Sequence, residues 1–306
     1  MVRATAWSVG LTDLRHYERR WLSGDILGGL TVAAYAIPQV MAYSTLAGLP
    51  PQSGLWVIAL TLVVYFFLGT SRMLSCGPES STALLTAAIL APLAAGDPLR
   101  YATLAASLAL LCGGFAVLAW LLRIGFIGDL LSRPVLVGYM CGLAIVMIMS
   151  QLGKVTGVNI AGDTFVEQLR SFAQRVGPDG ISWPTVAIGL GVVVLLVLLG
   201  PRFPRVPMPL IVVLVATGIS VALGLSAHGV ETVGQLDASL PSVGFTPIPM
   251  SDISLLVLPA LGIFIVGYTD NLATARVFAT HHGNHINANR ELLALGACNV
   301  GAAAVH

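Results

Sequence analysis

Charge is scarce in this sequence. Asp, Glu, Lys and Arg make up only 9% of its 306 residues, against about 25% in a soluble domain. Hydrophobic residues reach 56% and the mean hydropathy is +0.88, which excludes an ordinary water-soluble fold. The net charge of +1 leaves no electrostatic footprint for a nucleic acid, and no such partner is expected. Cysteine is rare as well. Cys76, Cys112, Cys141 and Cys298 lie in or beside apolar segments without paired spacing, and they read as small helix-packing residues rather than a disulfide or metal set. No small-residue cleavage site follows the first apolar run, so that run reads as a retained span and not as a signal peptide. Strict apolar–polar alternation over ten-residue stretches is missing too, which argues against a β-barrel.

What the chain does have is long apolar runs. A helix needs about 20 apolar residues to cross a bilayer. Spans are expected near 24–44, 53–69, 76–95, 99–122, 127–150, 183–200, 208–225 and 252–275, with a further apolar stretch from Leu292. The segment from Asp163 to Val176 is too polar to span and reads as a surface helix with Phe165, Leu169 and Phe172 on one face. Residues 229–250 read as a loop. With a cytoplasmic N-terminus and eight alternating spans, 11 of the 15 basic residues fall on the inner side, leaving Arg100, Lys154, Arg170 and Arg175 outside. The positive-inside rule favours this orientation. The chain is expected in the plasma membrane as a multi-pass protein.

Two carboxylates fall at apolar depth, Glu79 and Asp270. Each is costly in lipid unless it meets a cavity or a partner. Glu79 belongs to "SCGPESSTALLTAAILAPLAA", a stretch whose start is polar and whose body is apolar. Either Glu79 caps an ordinary span, or the helix begins inside the membrane. In the second case its first N–H groups lack partners and, with the dipole, favour an anion. Gly77 then allows close backbone approach, and Ser80, Ser81 and Thr82 add donors. Asp270 lies in "IFIVGYTDNLATARVFA", four residues before Thr274, which sets a carboxylate and a hydroxyl on one helical face. That pair suits Na⁺ or a proton relay; a packing hydrogen bond is the plain alternative. Pro38 in the first span, and Pro259, Gly262 and Gly267 in the eighth, suggest two interrupted helices in matching places, a pointer to a transporter binding site. Simple kinks are the alternative.

The sequence resembles the SulP (sulfate permease) family of anion transporters over nearly its whole length. The most specific stretch is "PQSGLWVIALTLVVYFFLGTSR", where Gly54, Leu55, Gly69, Thr70, Ser71 and Arg72 fit the family signature without a gap, while Ser53 and Trp56 stand where Tyr is usual. "IPQVMAYSTLAGLPP", "CGPESSTALLTAAI" and "INANRELLALGACNVGAA" resemble the first span, the third span and the stretch after span 8. The resemblance implies an all-α membrane fold of two inverted seven-span repeats, with a core domain that moves against a gate domain. It implies half-helices at spans 3 and 10 facing the substrate, with spans 1 and 8 beside them. Tyr35, Gln39, Gly77, Glu79, Ser80 and Ser81 are then candidate substrate-binding residues, and Asp270 with Thr274 the candidate coupling-ion site. The expected division is a cytoplasmic segment 1–23, the first repeat 24–225, a loop 226–251 and the start of the second repeat 252–306, without the STAS domain that usually follows. The chain is expected to be an incomplete fragment.

The implied activity is secondary active transport of sulfate, bicarbonate or dicarboxylates by alternating access, coupled to H⁺ or Na⁺ or by exchange. No cofactor is expected beyond Na⁺ as a coupling ion, and a homodimer is expected of the full-length form. A passive anion channel of the same fold is the alternative. A membrane-embedded enzyme is less well supported, because the densest titratable cluster, His281, His282 and His285, lies on an expected loop with no nearby cysteine or paired carboxylate. No nucleotide motif appears, which speaks against ATP-driven transport.

Overall fold

A computed structural model describes residues 10, 14–126, 133–158, 160, 165–177, 180–203, 206, 208–228, 230, 244, 250–282 and 286–305. Among the described residues there are ten α-helices: α1 Leu22–Leu46, α2 Pro51–Leu68, α3 Ser80–Ala94, α4 Pro98–Leu121, α5 Arg133–Thr156, α6 Phe165–Arg175, α7 Trp183–Leu199, α8 Met208–Ala222, α9 Met250–His282 and α10 Ala288–Ala304. Several start as their sequence dictates. Pro51 and Pro98 stand in the first turns of α2 and α4, where a missing N–H costs nothing. Asp97 caps α4 by accepting from the Leu99 N–H at 2.9 Å, and Asn287 caps α10 by accepting from the Arg290 N–H at 3.1 Å.

Among the described residues, four helical stretches are long and apolar enough to cross a membrane: Arg19–Leu46, Pro51–Leu68, Pro98–Leu121 and Asp252–Arg276. Ser80–Ala94, Trp183–Leu199 and Ile211–Ala222 are shorter apolar helices. At 1.5 Å per residue, the 15 residues of α3 reach only about 22 Å, less than a bilayer core of about 30 Å.

The chain divides into two compact units. The first holds Met1–Asp25, Gln39–Ser132 and Leu236–His306; the second holds Ile26–Pro38 and Arg133–Gln235. In the first, α4 packs on α10, α9 and α3, and α2 packs on α10. Its core joins Leu90, Leu104, Leu108, Ala116, Leu256, Ala260, Phe264, Tyr268 and Leu272. Small residues bring α4 and α10 together. A Cβ on Gly113 would stand 2.8 Å from Val300 Cγ2, and one on Gly296 would stand 2.9 Å from Val117 Cγ2. That is the close backbone approach on which helix association in lipid relies, where apolar burial supplies no driving force. The buried Tyr268 hydroxyl donates to the Gly125 carbonyl at 2.6 Å. In the second unit, α5 packs on α6 and α7, and α7 packs on α8. No residue of α7 is buried.

Three expectations are corrected. The helices carrying Pro38 and Pro259 are not interrupted: α1 and α9 run through both prolines. A proline removes one backbone bond, and one missing bond does not end a helix that its neighbouring turns hold. The third span does not start at residue 76; Glu79 has extended backbone (φ −132°, ψ 150°) and the helix starts at Ser80. The fifth span, expected at 127–150, appears as a helix over Arg133–Thr156, with 127–132 outside the described residues. The surface helix appears at Phe165–Arg175 with Val166 and Leu169 exposed. Most of the expected loop 229–250 lies outside the described residues, and Met250 is already helical. Residues 283–285 also lie outside them, as do the side chains of His281 and His282.

Candidate functional site

The first unit encloses a cavity of about 230 Å³. Drug-sized ligands occupy pockets of about 300–1,000 Å³, so this one suits a small ion. Tyr43 and Ser44 come from α1; Ser53, Gly54, Val57 and Thr61 from α2; Thr82 and Thr86 from α3; Cys112 from α4; Phe264, Gly267 and Asn271 from α9; and Cys298 and Asn299 from α10. The extended stretch Cys76, Gly77, Pro78 and Glu79 closes the wall ahead of α3.

Local bonding explains this shape. The Thr61 hydroxyl donates to the Cys76 carbonyl at 3.0 Å and holds the extended stretch against α2. Gly54 admits α1, since a Cβ there would overlap the Val40 carbonyl. Glu79 takes the N-cap position of α3, yet its side chain makes no capping bond to a backbone N–H. Its Oε1 accepts instead from the Ser81 hydroxyl at 2.5 Å, and its carbonyl accepts from the Thr82 hydroxyl at 3.1 Å.

Of the residues singled out in the sequence, Gly77 and Glu79 line the cavity. Ser81 is fully buried behind Glu79 and spends its proton on it. The hydroxyls of Ser81 and Thr82, expected to serve a ligand, thus serve Glu79. Ser80 opens α3 half-buried and is not in the lining. The Gln39 amide donates to the Tyr43 hydroxyl at 2.9 Å and so adjoins the cavity through Tyr43. Tyr35 is 55% exposed and does not join this group. Asp270 and Thr274 are half-buried, one turn apart on α9, and Asn271 beside them lines the cavity. The Asp270 carboxyl lies near the Glu79 carboxyl. The two intramembrane carboxylates, 191 residues apart in the chain, therefore stand near one another, Glu79 in the cavity lining and Asp270 beside the lining residue Asn271.

Sequence reasoning missed Tyr43, Thr86, Asn271 and Asn299 as lining residues. Tyr43 stands four residues after Gln39, and Asn271 follows Asp270, so helical spacing and adjacency were the available signals. Glu291 was missed altogether as a buried carboxylate. It directly precedes the apolar run that begins at Leu292, and its partners lie more than 200 residues upstream.

A cluster of three or more His, Cys, Asp or Glu side chains able to hold a metal is absent among the described residues.

The sequence model of the sulfate permease family matches residues 22–306. The chain belongs to the sulfate permease family. It is 51% identical over 303 residues to a probable sulfate transporter of Mycobacterium tuberculosis (strain CDC 1551 / Oshkosh), covering 99% of this chain and 54% of the relative. Human solute carrier family 26 member 6 is 33% identical over 329 residues, covering 97% and 43%. The chain thus spans about half the length of these curated relatives. Among solved structures, the murine solute carrier 26 family member A9 anion transporter in the inward-facing state aligns with a TM-score of 0.88 at 26% identity, covering 98% of this chain and 53% of that one. The transmembrane domain of the cyanobacterial bicarbonate transporter BicA aligns at 0.80 and 22% identity, covering 94% and 74%, and shows a shared fold. The fold is the all-α, inverted-repeat membrane fold, and the family is one of transporters, not enzymes.

Proposed function

We propose that this chain supplies the first half of the substrate site of a secondary active anion transporter. The anion is of the sulfate, bicarbonate or dicarboxylate class, moved by alternating access and coupled to H⁺ or Na⁺ or exchanged. One observation carries the reading: the start of α3, with Glu79, opens on the cavity, and Asp270 stands near Glu79. The N–H groups and dipole of α3 attract an anion. Two carboxyl groups this close in apolar surroundings repel unless a proton or a cation lies between them. Binding of that cation next to the anion is what coupling requires.

In this reading, Gly77 and Glu79 line the anion cavity, Ser80 opens the helix that faces it, Ser81 acts through Glu79, and Gln39 acts through Tyr43. Tyr35 belongs to the same helix and is kept as a substrate residue of the assembled site. Asp270 and Thr274 hold the coupling ion. Residues 24–225 form the first repeat, 252–306 open the second, and the missing wall comes from repeat two. The basic residues support a cytoplasmic N-terminus in the plasma membrane, and the full-length form is read as a homodimer. The relatives named as sulfate transporters support the anion class. A passive channel shares all these features.

The test is uptake of labelled sulfate, bicarbonate and dicarboxylates into proteoliposomes by a full-length protein carrying this chain, with proton and Na⁺ gradients imposed separately. Saturable uptake driven by one gradient supports the reading. Unsaturable, voltage-driven flux that ignores both gradients overturns it in favour of a channel.

A further inference from the structure

Glu291 stands in the first turn of α10 and is only 5% exposed. Its carboxylate is engaged by the far end of α2. The Tyr65 hydroxyl donates to Oε2 at 2.9 Å, and the Thr70 N–H donates to Oε1 at 2.8 Å. The Thr70 hydroxyl also donates to Oε1. Thr70 Oγ1 accepts in turn from the Asn287 N–H at 3.3 Å, which closes the knot. The bonded residues are 221 and 226 positions apart in the chain. None of the knot's members lines the cavity.

The knot is nevertheless in register with the cavity. Along α2, Gly54, Thr61 and Tyr65 are spaced by seven and four residues, one helical face. Along α10, Glu291, Leu295, Cys298 and Ala302 are spaced by four, three and four, again one face. All of these except Tyr65 and Glu291 line the cavity. A second rung joins the two faces, since Cys298 Sγ donates to the Thr61 carbonyl at 3.5 Å. A sulfur bond of that length is weak, whereas the carboxylate knot is charge-assisted and buried.

We infer that Glu291 is a positioning residue that fixes the axial register of α2 against α10, and with it the spacing of the cavity walls that those helices supply. It touches no substrate. The inference rests on the reading of the cavity as the anion site. Without the carboxylate, the three donors of Tyr65 and Thr70 lose their acceptor, and α2 and α10 are held only by the weak rung and by packing.

The experiment uses a full-length protein carrying this chain, in liposomes, with radiolabelled sulfate as probe and maleimide alkylation of Cys298, read by peptide mass, as a transport-independent measure of register. The variants are Glu291→Gln, Tyr65→Phe and the double. Glu291→Gln is expected to raise the KM for sulfate about tenfold, the lower end of the loss of a charge-assisted bond, with the maximal rate per folded protein little changed and Cys298 alkylated faster. Tyr65→Phe is expected to move both in the same direction but less. The double variant should be no worse than Glu291→Gln, because both act through one bond. Should Glu291→Gln fail to insert, Tyr65→Phe, which keeps the carboxylate, carries the test. If the folded variants keep wild-type KM and alkylation rate while only their yield falls, the role is structural and the inference is overturned. If wild type takes up no sulfate but alkylation still quickens in the variants, register control stands and the sulfate reading falls.

Discussion

The two compact units use the same apolar alphabet to different ends. Helix α7 of the second unit, "WPTVAIGLGVVVLLVLL", is almost pure aliphatic and buries none of its residues; Val197 and Leu198 are each 65% exposed. Helices α4 and α10 of the first unit are broken up by Gly113, Gly296 and Asn299, and most of their length is covered. In lipid, an aliphatic surface gains nothing by leaving the solvent, so uniform Val and Leu do not draw helices together. Small residues do, by letting backbones touch. Close packing is also what allows buried carboxylates, thiols and amides to find partners. All the polar chemistry described above sits in the first unit, where the helices pack closely.

This contrast can be broken most severely at Asp270. In a full-length protein, Asp270→Asn is expected to abolish ion-coupled uptake while insertion and folding persist. Uptake that kept its wild-type dependence on both Na⁺ and proton gradients would show that the Glu79–Asp270 proximity is packing alone.

Next comes packing itself. Gly296→Val forces side-chain atoms into Val117 and the Gly113 carbonyl, and overpacking of this kind costs about 1–3 kcal/mol. Gly191→Val in α7 meets no atom within 4 Å and should leave the thermal midpoint in detergent unchanged. Equal shifts at the two positions would erase the distinction between the units. Gly77→Val belongs between these cases. Its Cβ would lie 3.2 Å from the Ile58 side chain, so valine presses on α2 as well as on the cavity. Anion binding should fall sharply. Recovery in the double variant with Ile58→Ala would assign the loss to packing rather than to the ligand.

A smaller effect is expected of Ser81→Ala, which removes the hydroxyl held by Glu79. A hydrogen bond to a charged group contributes about 1.5–3 kcal/mol, and since Ser81 acts through Glu79 the loss in anion affinity should sit at or below about tenfold. A pH series adds sharpness. A carboxylate beside an anion repels it, protonation removes the charge, and binding should tighten as pH falls. If that trend survives in Glu79→Gln, Glu79 is not its source. The smallest effect belongs to the second unit: Leu198→Ala should change neither stability nor uptake measurably.

Much of the fold was legible because membrane helices obey length and composition. The run Pro98–Leu121, capped by Asp97, could hardly be anything else, and the motif ending in Gly69, Thr70, Ser71 and Arg72 carried the family. Prolines misled. Pro38 and Pro259 read as breaks, but neighbouring turns keep both helices whole. Hydroxyls misled as well. Ser81 and Thr82 looked like ligand donors, and their protons go to Glu79, because the nearest acceptor is two or three residues away. Glu291 was hidden for a different reason: its partners, Tyr65 and Thr70, are more than 200 residues upstream.

By itself, then, the sequence determined that this chain is a multi-pass membrane protein built of apolar helices, and which family it joins. Those properties follow from local hydropathy and from motifs contiguous in the chain. Only the tertiary structure decided that Glu79 stands near Asp270, that Tyr43, Asn271 and Asn299 face one cavity, and that Glu291 ties α2 to α10. Each of those depends on helix rotation and axial register, which are set by which glycines allow which backbones to touch and by which buried donors find which acceptors.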